Sequence, residues 1–310
     1  MTKTEEIKKE DLENYIIKTL VFFDLFNQPL SLFEIYKYLN IKAELFEILD
    51  CLESLKDKIE NKNGFYYLQG REQLVEERFK KFNYFKRKIK KALFFSKLIA
   101  VFPMVRGVAV SNIIADHNLR DKSDIDLLVV SSKNKIWLTR FFCAGLAKFL
   151  NLRPNRKTKK DKICLSFYVS EDNLNLEEYL YNQNDLYFIY WLVGLQILID
   201  KNDIFYRFEF ENKWINKYLP NFACFVTLGE AEAQPPVNLD SSFRGNEKSG
   251  GYFLEKFSKK IQLKIMPNEL KFKNCDFGGV VLKDNIIKLF LEDKRPEFIE
   301  RFESNLKKYL

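Results

Sequence analysis

The stretch VRGVAVSNIIADHNLRDKSDIDLLVV, residues 105 to 130, opens and closes on apolar runs that read as buried strands, and it sets two carboxylates, Asp124 and Asp126, at the entry to the second run. Side chains alternate across a strand, so the two acids share one face while Ile125 and Leu127 take the other. Carboxylates placed this way repel each other unless a cation lies between them. Hard oxygen ligands held close together are what Mg²⁺ uses where it bridges a protein to substrate phosphates. A D-x-D spacing is common at strand ends, so its surroundings decide what it means. Upstream, VRGVAV runs into Ser111, Asn112 and an expected short helix, whose first free amides would cradle a phosphate.

Outward from this core, a helix is expected over about 135 to 150, followed by the basic loop RPNRKTKKDK and a strand, ICLSFYV, at 163 to 169. Helices are expected to dominate from 174 to 217. The apolar run FIYWLVGLQILI at 188 to 199 is too short to cross a bilayer and suits a buried helix. Residues 221 to 251 include GEAEAQPPVNLDSSFRGNEKSGG, poor in large apolar side chains, and read as a flexible linker or loop. Helical segments resume near 252 to 266 and 296 to 309, within a C-terminal region of 252 to 310.

The first 75 residues read as a small unit of three helices and a hairpin. Leu12, Tyr15, Ile16, Leu20 and Phe23 fall at helical spacing, and Ser31 with Glu34 makes a capping box for the second helix. A third helix is expected over about 43 to 56 with Phe46, Leu49, Leu52 and Leu55 inward. KIE, NKNG and FYYL then read as strand, Asn-Gly turn and strand. This order resembles the winged-helix fold, whose third helix often enters DNA. Here the outward face of that helix carries Glu44, Glu47, Asp50 and Glu53, which would meet phosphates with repulsion, so DNA is not the expected partner through it. Residues 76 to 100 form a basic connecting helix. Its segment RFKKFNYFKRKIKKALFFSK holds nine Lys or Arg and no acid, and Phe79, Phe82, Phe85 and Ile89 make an apolar stripe. The cationic face reads as solvated, or as a docking surface for RNA or for the acidic third helix.

Composition bounds the rest. A chain of 310 residues suits two or three globular units, and a net charge of +8 suits anionic partners without requiring them. The five cysteines are scattered without a C-x-x-C, which points to reduced thiols and a cytoplasmic protein rather than a disulfide framework. The charged N-terminus has no signal-peptide core, and no membrane span is expected.

Strand, phosphate-binding turn, short helix and SDIDLLVV together resemble the DNA polymerase beta superfamily of nucleotidyltransferases, over about residues 105 to 170. The resemblance implies an α+β (mixed α/β) architecture: an N-terminal winged-helix-like unit, a central nucleotidyltransferase-type mixed sheet with flanking helices over 101 to 220, and a C-terminal helical region. It implies Mg²⁺ held by Asp124 and Asp126 as metal ligands and catalytic acids. A nucleoside triphosphate would bind at Ser111, Asn112, Ile113 and Ser123. The acceptor stays open among RNA, a small molecule and a protein. The family's Gly-Ser turn falls on Asn112 and Ile113, and its third acid, on a later strand, falls where ICLSFYV offers Cys164 and Ser166, with Asp161 and Glu171 outside its ends. Two readings follow, a nucleotidyltransferase or a catalytically degenerate relative serving as a regulatory or protein-interaction module, and a third, a DNA-binding regulator, is disfavoured by the acidic third helix. His117, the single histidine, reads as a turn residue, and Arg106 and Lys122 as candidates for neutralising phosphate.

Overall fold

The computed structural model describes residues 9–155, 158–222, 250–273 and 279–310. Most of the stretch expected as a flexible linker therefore lies outside the described residues. The N-terminal unit runs α1 (Lys9–Asp24), β1 (Leu30–Ser31), α2 (Leu32–Tyr38), α3 (Leu45–Ser54), β2 (Ile59–Lys62) and β3 (Phe65–Leu68). Its three strands pair antiparallel in the order β1-β3-β2. The capping box forms as its spacing dictates: Ser31 N donates to Glu34 Oε2 at 2.9 Å and Glu34 N donates back to Ser31 Oγ at 3.3 Å. Asn63 and Gly64, with φ of 54° and 77°, make the tight Asn-Gly turn between β2 and β3.

One expectation here is corrected. Leu52 and, just past the end of α3, Leu55 are buried as expected, together with Ile48 and Cys51, while Phe46 and Leu49 face out at 65% and 41% exposure. Both sets have helical spacing, and α1 selects between them by packing on the Ile48/Leu52 stripe. The sequence alone held two apolar faces for one helix.

The remainder runs α4 (Gln73–Ala100), β4 (Val105–Val110), β5 (Ile125–Ser131), α5 (Ile136–Phe149), β6 (Ile163–Ser170), α6 (Leu186–Val193), β7 (Gln196–Asp200), α7 (Ile204–Glu211), α8 (Gly250–Ile265), α9 (Asn268–Phe272), β8 (Val280–Leu282), β9 (Ile286–Leu289) and α10 (Arg295–Leu306). Six strands form one mixed sheet in the order β7-β4-β5-β6-β9-β8. Only β5 and β6 pair in parallel, joined by the crossover helix α5; the other neighbours are antiparallel. The protein is thus α+β, with helices flanking a mixed sheet. Among the described residues no helix is long and apolar enough to cross a membrane.

Strand alternation sends Val108, Val110, Ile125, Leu127 and Val129 to a core shared with Phe95 and Ile99 of α4 and Trp137 and Cys143 of α5. The opposite face, Ala109, Leu128, Val130, Phe167 and Val169, belongs to a cluster that continues through Ile189 and Tyr190 of α6 into Phe22, Phe23 and Tyr38 of the N-terminal unit. Tyr190 is the hinge of that continuity: its ring meets those of Phe22, Phe23 and Tyr38, and its hydroxyl donates to the Tyr38 carbonyl at 2.9 Å. The N-terminal unit therefore shares its core with the sheet.

The run 188–199, expected as one buried helix, is half helix and half strand. α6 ends at Val193 and β7 begins at Gln196 as an edge strand beside β4. The break lies at Gly194, which the Ile113 carbonyl approaches so closely that an added Cβ would sit 2.0 Å from it. The C-terminal region holds the expected helices α8 and α10, and between them β9 pairs with β6 and β8 with β9 to complete the sheet. Gly194→Ala should force either α6 or the 111–114 segment to move, and a loss of about 1–3 kcal/mol is expected in a urea melt, the usual cost of overpacking.

Candidate functional site

The two acids sit where β5 begins. Asp126 lies opposite Cys164 in the parallel register with β6, and a register shift follows, so that Leu128 next meets Phe167. That irregularity matters because Cys164 and Phe167 are three apart and would face opposite sides of a regular strand. The bulge turns both toward the face of Asp126 and Leu128, as bulges beside functional sites commonly do. One ligand atom from each of Asp124, Asp126 and Cys164 lies within 4.8 Å of the others. Burial, then the neighbouring Asp124 carboxylate, pushes the Asp126 carboxyl up to about 6. The Cys164 thiol is raised far above its ordinary value by burial and by Asp126.

The segment after β4 secures this geometry through backbone. Ser111 N and Oγ both donate to the Asp126 carbonyl, at 2.9 and 3.3 Å, and Asn112 Nδ2 donates to the Asp124 carbonyl at 3.1 Å. Ser123 Oγ donates to the Arg120 carbonyl at 3.0 Å. The expected short helix does not form: residues 111–124 run as turns, with Ala115 and His117 at φ of 67° and 62°. A helix terminus therefore supplies no phosphate cradle here. Ile113, matched to the serine of the family turn, buries its side chain in the core under α4. The loop keeps its shape because Gln28 donates to the Asp116 carbonyl at 3.1 Å and Lys37 pairs with the Asp116 carboxylate at 3.2 Å.

Asp124, Asp126, Ser111, Asn112 and Ser123 line one cavity of about 600 Å³. Its other walls come from far along the chain. Phe167, Tyr187, Phe188, Trp191, Phe290 and Phe298 give an aromatic side, and Arg120, Lys122, Lys288 and Lys294 bring positive charge. Sequence reasoning missed the wall from α6 and from the β9–α10 segment, for which no local motif exists. Arg295 anchors that wall: fully buried, it donates through Nε to Asp293 Oδ1 at 2.8 Å and through Nη1 to Asp185 Oδ2 at 3.0 Å. Asp185 in turn accepts from Phe188 N at 3.0 Å and so caps α6.

The remaining candidates lie elsewhere. Asp161 is held by Arg87, Lys88 and Lys91 at 3.0, 2.9 and 3.5 Å, and Glu171 by Arg106 at 3.0 Å. Neither lines the cavity, and Arg106 is spent on Glu171 at the far end of β4. His117 packs edge-on against Phe82 and Phe85, and burial lowers its pKa, as suits a turn residue without a proton-transfer role. The cationic face of α4 does not meet α3: Arg78 pairs with Glu34, and Arg87 with Asp121 and Asp161. No family model, curated protein or solved structure matches the chain.

Two expectations test this geometry. Lys88 is wholly buried, its ammonium shared between Asp161 Oδ1 and the Ser123 carbonyl. Lys88→Met takes the buried ammonium from Asp161, which keeps Arg87 and Lys91, and should lower stability by about 1–3 kcal/mol in chemical denaturation. Asp126 carries the opposite sign. Its folded carboxyl protonates near 6 and the unfolded one near 3.8, so folding favours the protonated form between those values. The cost of ionised Asp126 is complete above pH 6 and vanishes as pH falls toward 4. Asp126→Asn should therefore stabilise the metal-free protein at pH 7.5, on the order of 1–3 kcal/mol, with the gain gone near pH 4.

Proposed function

We propose that the cavity binds a Mg²⁺-nucleoside triphosphate, with Asp124 and Asp126 as the metal ligands. The observation that carries this reading is the convergence, in one cavity, of two carboxylates on a shared strand face with cationic and aromatic walls. Mg²⁺ is commonly bound through one or two carboxylates plus substrate phosphates, and this pair fits that need. The bound cation would supply charge neutralisation for a triphosphate. The chain's own groups do the rest: Arg120 and Lys122 lie at the cavity to attract phosphate, and the Phe188/Trp191 side offers apolar planes to a base. Ser111 and Asn112 act by holding the backbone of both acids.

A second reading, a catalytically degenerate nucleotidyltransferase used as a regulatory or protein-interaction module, is favoured by Cys164. It stands opposite Asp126 where the resembling family places its third acid, and a neutral thiol is a poor substitute for a carboxylate that activates an acceptor hydroxyl. Binding with slow or absent transfer is the outcome the two observations support together. The acceptor, if transfer occurs, is RNA, a small molecule or a protein. DNA is not proposed, because Glu44, Asp50 and Glu53 keep the outward face of α3 acidic. A reducing compartment, the cytoplasm, suits the free thiols of Cys51, Cys143 and Cys164.

Thermal melts with ATP, GTP, CTP and UTP, each with and without Mg²⁺, test the reading. At ligand about 100-fold above Kd the stabilisation should reach roughly 2.7 kcal/mol, and Asp126→Asn should remove the Mg²⁺-dependent part. Equal stabilisation of wild type and Asp126→Asn would show that nucleotide binds elsewhere.

A further inference from the structure

We propose that Asp124, Asp126 and Cys164 together form a site for a thiophilic divalent cation of the Zn²⁺/Co²⁺ class, one that exists in the nucleotide-free protein. The proposal rests on the same two carboxylates as metal ligands but not on nucleotide binding. Mg²⁺ is served by oxygen alone and has no use for sulfur, whereas thiolate selects Zn²⁺ and similar ions over Mg²⁺. Two carboxylate oxygens and one sulfur, all within 4.8 Å of one another, are three protein ligands, the number that a Zn²⁺ site completed by solvent or substrate uses.

Three observations make this a built site rather than an accidental cluster. Cys164 is the register partner of Asp126 across the parallel β5–β6 pair, which puts its sulfur on the side of that carboxylate. Three of the four buried acids elsewhere among the described residues hold a cationic side chain, Glu34 with Arg78, Asp161 with Lys88 and Asp185 with Arg295, and the fourth, Glu255, accepts from the Trp137 and Leu138 amides, whereas Asp124 and Asp126 form no ion pair among the described residues. Asn112, on the same cavity, has a buried Oδ1 that accepts no hydrogen bond among the described residues, although its Nδ2 is engaged. An oxygen left over beside two uncompensated carboxylates is what a cation would use. Cys164 enters as thiolate and its proton passes to solvent, as metal binding to a thiol requires.

Reduced full-length protein, stripped of metal and free of nucleotide, is titrated with Co²⁺ and then with Zn²⁺ in competition. A near-ultraviolet sulfur-to-cobalt charge-transfer band is expected at one equivalent, bleached by Zn²⁺ and unaffected by excess Mg²⁺. Cys164→Ser should lose the band and weaken Zn²⁺ binding by roughly 10- to 100-fold or more, since losing even an outer-sphere partner commonly costs that much. Asp126→Asn should weaken both ions. Absence of the band in wild type overturns the proposal without reference to any variant. A band that survives both substitutions overturns it as well, by placing the metal on another cysteine. Loss of triphosphate binding with the band intact would remove the nucleotide reading and leave this site standing.

Discussion

The buried ammonium of Lys88 is the constraint on which the site depends. It grips the Ser123 carbonyl and the Asp161 carboxylate at once, and so ties α4 to the residues that immediately precede β5 and β6. Asp161 N donates to that same Ser123 carbonyl at 3.1 Å, and Ile125 N to the Lys162 carbonyl at 2.8 Å. The starts of the two parallel strands are thereby fixed against each other. Asp124 and Asp126 lie one and three residues beyond Ser123, and Cys164 three beyond Asp161. The separation of the three candidate ligands is therefore set by a salt bridge that touches none of them. Taking an ammonium out of water is costly, and only a paired, hydrogen-bonded geometry such as this one offsets it.

The same economy governs the rest of α4. Its run of cations suggests a surface for polyanions, yet much of that charge is used internally. Lys81 reaches the carbonyls of Phe26 and Asn27, at 2.9 and 2.6 Å, at the end of the turn after α1, Arg78 pairs with Glu34 in α2, and Arg87, Lys88 and Lys91 converge on Asp161. Burial lowers Lys81 to about 8, the mark of an ammonium held by carbonyl oxygens without a full counter-charge. The helix acts as a clasp between the N-terminal unit and the loops of the sheet.

The cavity is an assembly of segments that meet only after folding. The turn after α1 lends Phe26, β5 the acids, α6 the rings of Tyr187, Phe188 and Trp191, and the β9–α10 segment Phe290, Lys294 and Phe298. Phe298 stacks on both Phe26 and Tyr187, with centroids 5.1 and 4.9 Å away, so the N-terminal and C-terminal parts of the chain close the same wall. Arg295 keeps that wall in place through Asp185 and Asp293, a largely buried charge network.

Local chemistry alone determined several parts of this protein. The Ser31/Glu34 cap, the Asn63-Gly64 turn, the β5 strand and the shared face of Asp124 and Asp126 each follow from interactions within a few residues, so short-range spacing carries them. Tertiary structure decided which of two apolar stripes α3 buries, because α1 supplies the surface that chooses. It divided FIYWLVGLQILI into helix and edge strand, because the Ile113 carbonyl demands a glycine at 194 and β4 needs a partner. It replaced the expected helix after Asn112 with turns pinned by Gln28 and Lys37 from the N-terminal unit. It also gave Cys164 its place beside the acids, since an inter-strand register with a bulge is a property of two segments together, and neither sequence records it alone.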